Sequence, residues 1–89
     1  MSGGSLLLRG SAMHHLGNYS DATDVLERAK ELLPEEFHPH FMLGINYFRL
    51  GNFESSIDNF EEAERIAPGH PTVVGDLARA RERLAERDG

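Results

Sequence analysis

The chain repeats itself. Shifted by 34 residues, Gly10 falls on Gly44, and Leu16-Gly17-Asn18-Tyr19 falls on Leu50-Gly51-Asn52-Phe53. In the same register Ala22 meets Ser56, Leu26 meets Phe60, Ala29 meets Ala63, Leu32 meets Ile66 and Pro34 meets Pro68. A unit this short cannot bury its apolar face alone and must lay it on a neighbour, which restricts the fold to a linear stack of like units.

Each unit reads as two helices. Ala22, Val25, Leu26, Ala29, Leu32 and Leu33 recur at three- and four-residue steps, as do Ile57, Phe60, Ala63, Ile66 and Ala67. That spacing gives one apolar stripe per helix. Pro34 and Pro68 lack an amide hydrogen and end these helices. Gly17 and Gly51 stand where the preceding helices must stop and turn. Gly10 and Gly44 fall mid-helix, where glycine costs about 1 kcal/mol against alanine; close approach of two helices is the expected return. Pro39 and Pro71 suit the first turn of the helices they open. The pattern predicts five helices at roughly 5–16, 20–33, 39–50, 54–67 and 71–87, joined by short loops and therefore antiparallel to their neighbours. In the last, Val73, Val74, Leu77, Ala78 and Leu84 form one apolar stripe, and charged residues cover the rest, as a terminal cap requires.

The period and the small, aromatic and proline positions together resemble the tetratricopeptide repeat, over about residues 3–70. The resemblance implies an all-α, right-handed solenoid of antiparallel helix pairs. Repeat 1 would occupy about 3–36, repeat 2 about 37–70 and a capping helix about 71–87, within a single domain over 6–89. Residues 1–5 (Met-Ser-Gly-Gly-Ser) read as an added or disordered leader.

Composition excludes several functions. The absence of cysteine removes disulfides, thiolate metal sites and cysteine nucleophiles. No apolar run exceeds three residues, so no membrane span is expected. The net charge is −6, with eleven acids against four bases between residues 18 and 66; such a surface repels phosphate backbones and argues against nucleic-acid binding. His14 and His15 point about 100° apart on a helix and cannot easily share an ion. His38 and His40 lack a third ligand at helical spacing, so no metal and no cofactor is expected, and His40 reads as a packing ring. Ser11 has no nucleophile-elbow sequence around it. The chain is thus not expected to be an enzyme. The compartment is not legible; the cytoplasm is the default.

The family resemblance implies that the first helix of each repeat lines a concave groove where partner peptides lie. The matching residues are Leu7, Leu8, Ser11, His14 and His15 in repeat 1, Phe41, Met42, Ile45, Phe48 and Arg49 in repeat 2, and Asp76 and Arg79 in the closing helix. One subgroup of the family clamps the C-terminal carboxylate of chaperones with lysine, asparagine and arginine at these places. Here Leu7, Ser11, Met42, Thr72 and Asp76 stand instead, so chaperone-tail binding is rejected. The helix Pro39 to Leu50 is apolar nearly all round. Leu43, Tyr47 and Leu50 are expected to face neighbouring helices, and Phe41, Met42, Ile45 and Phe48 the groove. The function this implies is a protein-interaction module whose groove takes a partner's peptide or helix. The alternatives are a homo-oligomeric scaffold, dimeric through the same groove, and a non-catalytic segment of a larger enzyme.

Overall fold

The computed structural model describes residues 2–88. Its helices are α1 (Gly3–His15), α2 (Tyr19–Leu32), α3 (Phe37–Arg49), α4 (Phe53–Ile66) and α5 (Pro71–Asp88). No strand occurs among the described residues. Every boundary falls within two residues of the expected one. Within the stretch read as an added or disordered leader, Gly3, Gly4 and Ser5 are helical, and the Ser2 hydroxyl caps the helix by accepting from the Ser5 amide at 3.2 Å. Met1 lies outside the described residues.

The two repeats end their first helices in the same way. Gly17 (φ 78°) and Gly51 (φ 82°) take the left-handed conformation. Gly17 N–H donates to the His14 carbonyl and Asn18 N–H to that of Met13; one period on, Gly51 N–H donates to Phe48 and Asn52 N–H to Tyr47. These paired bonds satisfy carbonyls that a helix end otherwise leaves open, and only glycine enters that conformation without a steric penalty.

The mid-helix glycines are contact points. A Cβ on Gly10 would lie 2.6 Å from Leu26 Cγ, and one on Gly44 would lie 2.5 Å from the Phe60 ring. Glycine at these places lets the two helices of a repeat touch, and the Ser56 hydroxyl donates to the Gly44 carbonyl across the second contact at 2.7 Å. Two core clusters result. Ala22, Leu26, Met42 and Leu43 join repeat 1 to repeat 2. Phe60, Ala63, Val73 and Leu77 join repeat 2 to α5.

Each helix packs on the next, and α3 also touches α1 and α5, while the α2 and α4 backbones do not approach each other. The odd-numbered helices therefore share the inner face of a curved slab of 42 × 27 × 18 Å. The cap helix α5 buries Val73, Leu77 and Ala80. Two members of its expected stripe, Val74 and Ala78, are exposed instead. In a repeat stack they stand where a following helix would pack. The same reasoning applies at the other end. Leu6 is buried, but Leu8 is 75% exposed, whereas its equivalent one period later, Met42, is covered by repeat 1 and is 8% exposed.

A polar network ties α2, α3 and α4 together. The Tyr47 hydroxyl donates to Glu27 at 2.5 Å, Lys30 pairs with Glu27 at 2.8 Å, and Lys30 also donates to Asn59 at 3.2 Å. Burial raises the Glu27 pKa, but hydrogen bonds from Lys30 and Tyr47 outweigh it, and the net shift is downward from 4.5. Burial and the neighbouring carboxylate push the Tyr47 phenol well up, so it stays protonated and keeps donating. A lowered folded-state pKa means stability that is present above the unfolded value and lost as pH falls through the folded one. Glu27→Gln should therefore cost up to about 1 kcal/mol at neutral pH, given its partial exposure. Thermal melts should find that gap closing as the pH falls below the ordinary carboxylate value; a gap that persists in acid would contradict the assignment.

Candidate functional site

The inner face carries a groove of about 380 Å³ lined by His14, Ile45, Phe48, Arg49, Phe60, Asp76 and Arg79. Six of these are among the twelve residues expected from the sequence; Phe60 is the addition. Ile45 and Phe48 are half-buried and Phe60 is closed over at the floor. The helical steps of α3 put Ile45, Phe48 and Arg49 on one side, since residues three and four apart share a face.

Polar groups hold the rim. His14 Nδ1 lies 2.6 Å from Asn46 Oδ1, and the imidazole also packs edge-on against Tyr19 at 5.4 Å. The Arg49 guanidinium lies 6.0 Å from the Tyr19 ring centroid. From α5, Arg79 pairs with Asp76 at 3.3 Å, and Arg83 sits 5.8 Å from the Phe48 ring centroid. Such cation–ring contacts contribute about 0.5–1 kcal/mol at exposed sites and fix the direction of the guanidinium.

The other expected residues lie elsewhere. Met42 is buried in the inter-repeat core because α3 turns it toward α2. Leu7 packs against that same core from α1. Phe41 stacks on Phe37 at 5.3 Å and reaches His70 at 5.8 Å, plugging the gap between repeat 2 and α5. Leu8 and His15 are exposed and Ser11 is half-buried, and none of the three lines this groove. Leu50, expected against a neighbouring helix, is 48% exposed. His40 is the packing ring the sequence suggested: its Nε2–H donates to the Pro34 carbonyl at 2.9 Å. Sequence reasoning missed three contributors. In the sequence Phe60 reads only as part of its helix's apolar stripe, Arg83 as part of the charged cover of the last helix, and Asn46 sits within an apolar run.

The His14–Asn46 contact changes an expectation about stability. A histidine on the open inner face reads as dispensable, yet Asn46 is fully buried and its Nδ2 has no hydrogen-bond partner among the described residues. His14→Ala would leave both ends of that amide unpaired, at about 1–3 kcal/mol. Chemical denaturation should register this loss, and Asn46→Leu should offset much of it in the double variant.

No group of three or more metal-ligating side chains comes together among the described residues. Among the described residues no helix is long and apolar enough to cross a membrane.

Comparison with known proteins places this geometry. The tetratricopeptide repeat model matches residues 38–70. None of the curated proteins matches the chain. Among solved structures, an arginine-to-glutamate mutant of MamA aligns with a TM-score of 0.90 and 24% identity, over 97% of this chain. The chain spans 63% of that structure's length. One repeat of the chain is thus similar in sequence to the tetratricopeptide repeat, and the five-helix stack is matched in fold.

Proposed function

We propose that the chain is a non-catalytic binding module whose inner groove takes an apolar or amphipathic segment of a partner protein. The observation that carries this reading is the groove's construction, an aromatic and aliphatic floor of Ile45, Phe48 and Phe60 under a rim of fixed polar groups. Few apolar contacts for affinity and a few oriented polar groups for register are what peptide sites require. The family supports a role in protein–protein interaction in general; the groove as its place is our reading.

The test uses peptides selected by display on the intact chain. The expected result is binding that weakens about 10–100-fold in Phe48→Ala, matching the 1.5–3 kcal/mol lost when a buried phenylalanine is removed. Equal binding by both proteins would overturn the reading. A homo-oligomeric scaffold makes a different forecast: sedimentation at micromolar and near-millimolar concentration would then report a growing mass that Phe48→Ala abolishes. A monomer at both concentrations is the result expected here.

A further inference from the structure

Charge on this chain is segregated by helix. α1 and α3 contain no aspartate or glutamate, whereas α2 and α4 together contain nine. The third inner helix, α5, is balanced at four acids against four arginines, so the inner face is the least acidic side of an acidic protein and its groove is cationic. Arg49 and Arg79 line the groove from α3 and α5, and Arg83 stands over Phe48; Asp76, the one carboxylate among the lining residues, holds Arg79 by a single 3.3 Å contact and leaves that guanidinium largely exposed. The outer acids do not cancel this. The slab is 18 Å in its thinnest direction, about two screening lengths at physiological ionic strength (~8 Å), so a ligand on the inner face responds mainly to the charges beside it. Other arginines are engaged away from the groove: Arg81 with Glu61 at 3.0 Å and Arg87 with Glu54 at 2.7 Å, both between α5 and α4.

We propose that the groove's partner is an acidic segment with an apolar anchor. A leucine- or phenylalanine-like side chain would rest on Ile45, Phe48 and Phe60, and flanking carboxylates would meet Arg49 and Arg79. The planar guanidinium suits this, since it accepts a carboxylate through two parallel hydrogen bonds. The two cations also bias encounter toward acidic segments and against basic ones. This inference rests on the reading of the groove as a peptide site.

The test is display of a random-peptide library on the intact chain, followed by titration of the most enriched peptide. Enriched sequences should be net acidic around a large apolar residue. Arg49→Gln with Arg79→Gln should weaken the best peptide about tenfold at low salt, with the gap shrinking as salt rises. Arg81→Gln with Arg87→Gln should leave affinity unchanged. Neutral or basic peptides that lose binding in Phe48→Ala would overturn the charge inference and leave the groove reading standing. Absence of enrichment, or peptides indifferent both to Phe48→Ala and to the Arg49/Arg79 pair, would overturn both. The arginine variants leave the core untouched and keep the test decisive if Phe48→Ala fails to fold. Self-association abolished by the Arg49/Arg79 pair would also overturn the proposal, in favour of a second copy as the occupant.

Discussion

Gly44→Ala should lower the thermal midpoint by roughly 5–20 °C, and Gly44→Leu should leave little folded protein. A single methyl at Gly44 would sit 2.5 Å from Cδ1 and Cε1 of Phe60, far inside van der Waals contact. The ring cannot retreat easily, because Phe60 is buried with Ala63, Val73 and Leu77 behind it. Overpacking of this kind costs about 1–3 kcal/mol, and a domain of this length has only about 4–13 kcal/mol in total. For a chain this short each kcal/mol moves the midpoint by about 4–8 °C. The opposite sign is expected at Gly75, in the second turn of α5, where a Cβ would meet nothing within 4 Å. Gly75→Ala should stabilise by about 0.5–1 kcal/mol, the ordinary gain of removing a helical glycine. Two glycine-to-alanine changes in helix interiors would then move the melting curve in opposite directions. Equal shifts would mean that Gly44 is not at a helix contact.

Met42→Asp should unfold the chain, and Leu8→Asp should not. The two positions are equivalent in the repeat, and both were expected in the groove. Met42 lies in the core formed with Ala22, Leu26 and Leu43, so a carboxylate there would be buried without a partner at about 3–5 kcal/mol. Leu8 faces solvent, and a surface substitution stays within about 0.5 kcal/mol. Circular dichroism of both variants is the check. A folded Met42→Asp would contradict the placement of α3 against α2. The contrast measures what one repeat gains from having another before it.

The fold was legible because it repeats. Glycine at 17 and 51, proline at 34 and 68, and the small residues at 22 and 56 each act locally, and their coincidence at one spacing fixes the helix pairs without knowledge of tertiary contacts. Which way α3 turns was not legible. Its run Phe41-Met42-Leu43-Gly44-Ile45 offers an apolar residue to every side, so periodicity cannot distinguish the face toward α2 from the face toward the groove. The glycine at 44 could have resolved this. It must face α4, and that fixes Ile45 and Phe48 on the inner side and Met42 toward α2. Leu8 differs for another reason: repeat 1 covers Met42, and nothing among the described residues covers Leu8 in the same way. Phe60 reached the groove floor through the gap that Gly44 leaves, a long-range effect invisible in the α4 stripe alone.

The pairing of helices around this groove has a direct test. Backbone amide shifts of the isotope-labelled chain, followed by nuclear magnetic resonance during titration with a display-selected peptide, report where the ligand sits. The largest changes should fall on His14, Ile45, Phe48, Arg49, Asp76 and Arg79, contributed by three helices that meet only on the inner face. Changes concentrated instead on the outward residues of α2 and α4, such as Asp24, Glu31, Asp58 and Glu62, would contradict it.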